Sequence, residues 1–132
     1  MNQTFGKEYK LCRQKLIDSV YKTGKVVKQY PFVVHYLEIE EKLDAPFQIT
    51  ISAPKRLFRR AHDRNRIKRL MRETVRRNKL IIENHIEKSQ KNIIMFMVYT
   101  NKEEMPFTVL MKKNAQLFEN IIKQLNENEI QH

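Results

Sequence analysis

The chain has 132 residues, of which 41% are hydrophobic, with five tyrosines and seven phenylalanines. That suits one folded domain over residues 1–132 and leaves too little chain for two domains of ordinary size. Its formal charge is +11, so its partners are expected among polyanions. Cys12 is the single cysteine, which excludes an internal disulfide and points to a reducing compartment. The start, Met1 to Lys7, has no apolar core of a signal peptide, and no stretch approaches the roughly 18 apolar residues of a membrane span. A cytoplasmic protein without a membrane partner is expected.

Residues 1–8 read as a loosely ordered lead-in. From Lys10 to Thr23, the apolar residues Leu11, Leu16, Ile17, Val20 and Tyr21 fall near helical spacing, and Gly24 stands where a helix would end. Val26 to Glu40 is rich in β-branched and aromatic residues, with Pro31 separating a short edge piece from a main strand at Phe32–Ile39. After a polar turn, Phe47 to Ala53 alternates apolar and polar and is expected to close a hairpin, stopped by Pro54. A long helix follows from Arg59 to Glu87, with Asp63 as candidate N-cap. Asn92 to Thr100 is a continuous apolar run, expected as a central strand buried on both faces. Pro106 to Leu125 has helical periodicity again, and 126–132 reads as a polar tail. The expected fold is α+β, in the order α-β-β-β-α-β-α, with a mixed sheet packed by helices.

The charge is concentrated. Lys55 to Lys79 contains nine arginines and three lysines against Asp63 and Glu73, a balance of +10. On a helical projection Ile67, Leu70, Met71, Val75, Ile81 and Ile82 share one arc. Asn65, Arg69, Arg72 and Arg76 lie opposite, with Lys68 and Lys79 at the border. A helix face that merely stays in water usually mixes signs. Here Arg64 with Lys68, Lys68 with Arg72, and Arg72 with Arg76 repeat like charge at i and i+4, each costing a few tenths of a kcal/mol. Cations near the helix start also oppose its dipole. The arrangement becomes favourable once phosphates neutralise it. The excess of arginine suits bidentate phosphate contacts, and Asn65 can read a base edge or a 2′-hydroxyl.

The run Arg64-Asn65-Arg66-Ile67-Lys68-Arg69-Leu70-Met71-Arg72-Glu73, preceded by the strand Phe47 to Ala53 and by Ser52 to Arg56, resembles the RNR motif of the bacterial ribonuclease P protein component. The resemblance covers nearly the whole chain, including Lys22-Thr23-Gly24, the strand from Phe32 to Leu37, the apolar run and the last helix. One departure is the link Leu57 to Asp63, where family members usually carry a Gly-x-Ala-Val-type sequence. The resemblance implies a left-handed crossover through the long helix, against the usual rule. It implies a protein that binds the catalytic ribonuclease P RNA and the 5′ leader of precursor tRNA, assisting endonucleolytic removal of that leader. The RNA subunit would do the chemistry with magnesium, which it mainly holds. Arg64, Asn65, Arg66, Lys68, Arg69 and Arg72 would face the catalytic RNA, with no protein catalytic residue and no obligate protein partner.

It also implies a leader groove between the first helix and the sheet. The matching positions are Ile17 and Tyr21 on the helix, Val33 and His35 on the strand, and Lys55 and Arg56 with Lys15 at the rim. Apolar and aromatic groups rimmed by lysines suit single-stranded RNA. Strand parity alone leaves the face open, because Phe32, Val34 and Tyr36 form an equally apolar opposite side.

Other chemistry is sparse. His35, His62, His85 and His132 lack metal-ligand spacing and read as surface or rim histidines. Cys12 lies near Lys10 and Arg13 but reads as an incidental thiol. Glu38, Glu40, Glu41 and Asp44 suit a solvated turn, Gly6 and Gly24 make no phosphate loop, and the methionines read as packing. Two other functions use the same helix. A ribosomal-type structured-RNA protein would have no role in cleavage. A DNA-binding regulator would need a helix-turn-helix or zipper that the chain does not show.

Overall fold

The computed structural model describes residues 5–130. Its regular elements are α1 (Gln14–Thr23), β1 (Lys25–Gln29), β2 (Phe32–Ile39), β3 (Phe47–Ser52), α2 (Ala61–Ser89), β4 (Asn92–Tyr99) and α3 (Phe107–Ile130), preceded by a 3-10 turn at Lys7–Tyr9. The strands form one sheet in the order β1-β2-β4-β3. β1, β2 and β4 are antiparallel neighbours, while β3 runs parallel to β4.

This order corrects one expectation. Phe47–Ser52 does not close a hairpin with β2, because β4 lies between them. The hairpin is β1–β2, joined through Tyr30-Pro31, with Gln29 opposite Phe32. An apolar run as continuous as Ile93 to Val98 loses most by lying at an edge, so it takes the centre and displaces β3. A parallel β3–β4 pair then requires a crossover, and α2 supplies it.

Side-chain alternation divides the sheet into two unequal faces. Phe32, Val34, Tyr36, Phe47, Ile49, Met95, Met97 and Tyr99 are buried in the main core with Ile67, Met71, Val75, Ile82 and Ile86 of α2 and Leu110, Leu117, Phe118 and Ile121 of α3. The other face carries only α1, where Val20, Leu11 and Ile94 are buried with Leu16, Ile17, Leu37 and Leu43 around them. β4 is therefore buried on both faces at Ile94, whereas Phe96 and Val98 remain half-exposed.

Element ends differ from the periodicity in ways that tertiary pairing explains. Lys10 and Leu11 do not start α1. Lys10 bridges Ile49, the Leu11 amide donates to the Ile49 carbonyl at 3.1 Å, and the Thr50 hydroxyl donates to the Leu11 carbonyl at 2.7 Å. Of the expected lead-in, residues 1–4 lie outside the described residues, and Phe5 stacks on the buried Tyr9 ring at 4.9 Å. Gly24 does follow α1, but with φ −70°, so it is not the left-handed cap that glycine usually supplies. It is small because a Cβ there would meet the Val20 carbonyl oxygen and lie 2.8 Å from that of Tyr36.

α2 begins at Ala61, with Arg60 as cap residue and no side-chain cap bond. Asp63 is thus inside the first turn, where its charge complements the helix dipole but caps nothing. The helix ends on Gln90, left-handed at φ 63°, whose amide donates to the Ile86 carbonyl at 2.8 Å. α3 continues past Leu125 to Ile130, so most of the expected polar tail is helical, and 131–132 lie outside the described residues.

Candidate nucleic-acid interface

With Ile67, Met71, Val75 and Ile82 in the core, the opposite side of α2 is held toward solvent. The charged residues on it are not equivalent. Arg64 is half-buried, and its Nη1 donates to the carbonyls of Phe58 at 2.9 Å and Arg59 at 3.0 Å, closing the atypical link onto the helix. Arg66 makes a two-pronged pair with Glu104, which holds that carboxyl below its ordinary range. Arg76 and Arg77 both donate to Glu73, and the Arg76 bond is the larger cause of a Glu73 pKa lowered to about 2.

Lys79, expected at the border of the cationic face, is instead buried, with its ammonium 4.9 Å from the centre of the Tyr9 ring. Its long stem reaches core space that its helical angle alone does not reveal. Asn65, Lys68, Arg69 and Arg72 make no hydrogen bond or ion pair with the described residues. Lys55, Arg56, Arg59 and Arg60 are exposed beside them. Of the six residues that the motif singles out, two are thus engaged within the protein and four are available to a partner.

The second surface is the open part of the sheet beside α1. Phe32, Val34 and Tyr36 are on the core face, so Val33 and His35 are on the side that carries α1, which resolves the parity left open above. Tyr21 is 58% exposed, yet it stacks on His35 at 5.1 Å and meets Phe96 edge-on at 5.7 Å. Ile17 lies deeper, against the small cluster around Val20. Phe96 was hidden in its apolar run and becomes visible only with register, since it is opposite His35 on one side and Thr50 on the other. Lys28, opposite Val33, is an exposed lysine on the same face. Lys55 and Arg56 follow β3 at the end of the sheet where Ser52, Val98 and Val33 lie side by side. Lys15 is exposed on α1.

One histidine departs from expectation: His85 is buried, with Nε2 3.8 Å from the Glu38 carboxylate. His62 is exposed beside Asp63. Among the described residues no three His, Cys, Asp or Glu side chains come together as a metal site. No helix among them is long and apolar enough to cross a membrane. The Glu40–Asp44 turn is largely exposed, as expected, with Glu41 paired to Arg13 at 2.8 Å.

The arginine-rich helix crosses between two parallel strands. The ribonuclease P family model matches residues 5–122 of the chain. The chain belongs to the ribonuclease P family. The ribonuclease P protein component of Porphyromonas gingivalis ATCC 33277 is 37% identical over 102 residues, covering 75% of this chain and 74% of its relative. The ribonuclease P protein of Staphylococcus aureus superposes with a TM-score of 0.66 at 22% identity, over 87% of this chain and 96% of that one. That of Thermotoga maritima gives 0.64 at 24% identity, over 84% and 96%. At these identities the two structures speak for the fold, a mixed α+β sheet in the order found here.

Proposed function

We propose that the chain binds the catalytic RNA of ribonuclease P through α2 and the 5′ leader of precursor tRNA through the groove beside α1. As a member of the ribonuclease P family it is a component of a ribonuclease and serves tRNA 5′ processing; a ribosomal-type role is not favoured. The observation that carries the finer reading is the set Lys68, Arg69 and Arg72. Three cations on a helix anchored by Ile67 and Met71 stand without an anionic partner among the described residues. Phosphates satisfy them, and Asn65 adds a donor and an acceptor beside them.

The division of labour follows from the side chains. Arg69 and Arg72 neutralise phosphates and fix orientation, which carries no sequence information. Tyr21, His35 and Phe96 offer ring faces to bases of any identity, so the groove would accept leaders of varied sequence. Lys55, Arg56 and Lys28 hold the strand's backbone at the open end. Magnesium would supply charge neutralisation and an activated water on the RNA subunit. The cleavage step would fall to the RNA.

Reconstitution tests the proposal. Mixed with the ribonuclease P RNA of its own organism at low magnesium, the protein is expected to stimulate removal of the 5′ leader. If the RNA cleaves no better with the protein than without it, the reading fails.

A further inference from the structure

A cavity of about 520 Å³ opens between the N-terminal segment, the outer edge of β3 to which that segment is bonded, and the basic face of α2. Its rim carries Lys7, Lys10, Lys68 and Arg72, and its floor is apolar, from Phe5, Leu11, Ile49 and Ile51. One carboxylate, Glu8, folds back beside Gly6 at the edge, one negative charge against four positive. From this geometry we infer that the cavity takes a single unpaired nucleotide of the catalytic RNA, base inward and flanking phosphates on the four cations. The inference rests on the RNA-binding reading above and adds to α2 a pocket that the helix alone could not form.

The volume falls in the range of small-ligand sites, roughly 300–1,000 Å³. A lone phosphate would leave the apolar floor uncovered, whereas a base covers it. Lys68 and Arg72 are one helical turn apart on the face that also bears Asn65 and Arg69, so the cavity is continuous with the surface proposed for the catalytic RNA. This continuity favours a nucleotide within that RNA over a free one.

The walls are fixed before any ligand arrives. The Tyr9 hydroxyl donates to Glu83 at 2.6 Å while its ring receives the Lys79 ammonium, which ties the N-terminal turn to α2. Phe5 stacks on that ring. The opposite wall is tied through the Leu11–Ile49 and Thr50–Leu11 bonds already described. A preformed pocket spares the ordering cost that a mobile arm would bring.

The test compares two charge-matched double variants, Lys7→Ala/Lys10→Ala at the rim and Lys42→Ala/Lys88→Ala far from it, by their affinity for the catalytic RNA as a function of salt. Losing two single-strand phosphate contacts should make the log–log salt slope shallower by about 1.4 for the rim pair. The distant pair should leave it unchanged. In a Cys12→Ser background, Lys7→Cys bearing an aryl azide should cross-link to one unpaired nucleotide. Equal slopes for the two pairs, or cross-links confined to paired helices, would overturn the pocket while leaving RNA binding intact. If the wild-type protein does not bind the catalytic RNA, the underlying reading fails instead.

Discussion

Gly24→Ala joins fold to function most directly. Gly24 connects α1 to β1, and a Cβ there would press on the Val20 carbonyl and sit 2.8 Å from that of Tyr36. Both obstacles are backbone, one in α1 and one in β2, so no side chain can swing aside. Overpacking of this kind costs about 1–3 kcal/mol, and two backbone obstacles put it near the upper end. Against that, alanine restricts the unfolded chain and returns about 0.4–1 kcal/mol, since φ −70° is open to any residue. The net is a loss of about 2 kcal/mol, or about 8 °C in melting temperature for a domain of this size. The relief available is for α1 to lift from the sheet, which carries Tyr21 away from His35. Thermal unfolding followed by circular dichroism should show the drop. The Michaelis constant for precursor tRNA with a long leader should rise as well. A melting temperature that stays level or increases would refute the close approach and the reason given for glycine.

Tyr21→Ala should weaken binding of long-leader precursor tRNA by about 1–3 kcal/mol and spare a one-nucleotide leader; equal losses on both would remove Tyr21 from the groove. Arg64→Ala should lower the melting temperature, because charge-assisted bonds to two carbonyls are lost at about 1.5–3 kcal/mol. Arg69→Ala/Arg72→Ala should leave stability alone and flatten the salt slope of RNA binding by roughly 1.4–1.8; the opposite pattern would reverse the roles assigned to these arginines. Glu73 has a lowered folded pKa, so its stabilisation is complete above the ordinary value of 4.5 and disappears as pH falls toward about 2. Glu73→Gln should therefore weaken the acid dependence of unfolding in that window, and an unchanged acid limb would show that the paired arginines contribute nothing.

The parts legible in the sequence were those that local chemistry decides. Phe32–Ile39 was bounded correctly because Pro31 and a polar turn enclose an alternating segment. The inward arc of α2 was readable because Ile67, Met71, Val75 and Ile82 repeat at helical spacing. What escaped depends on which strands become neighbours. β3 alternates as an edge strand would in either place, so nothing in Phe47 to Ala53 distinguishes pairing with β2 from pairing with β4. Phe96 was hidden for the same reason, since its face follows from lying opposite His35. The engagement of Arg64 and Arg66 was equally invisible: Glu104 is 38 positions from Arg66, and a helical wheel shows a face without showing what reaches it.

The crossover also bears on how the two surfaces proposed to face RNA are related. β3 and β4 are parallel, so α2 must return from the end of β3 at Ser52 to the start of β4 at Asn92. A helix of 29 residues is about 43 Å long, against about 26 Å for an eight-residue strand, so it is longer than the strands it connects. Its first turns carry Arg64 and Asn65, and Lys68 lies one turn in, lining the cavity with Ile49 and Ile51 of β3. The Ser52 end of the sheet holds Val33 and Val98, the part of the second face that α1 leaves open, with Lys55 and Arg56 just beyond. A leader held in the proposed groove would leave it at that end past Lys55 and Arg56, toward the start of α2. Had β3 paired with β2 as a hairpin, no crossover would have been required, and α2 would not have been held between the end of β3 and the start of β4.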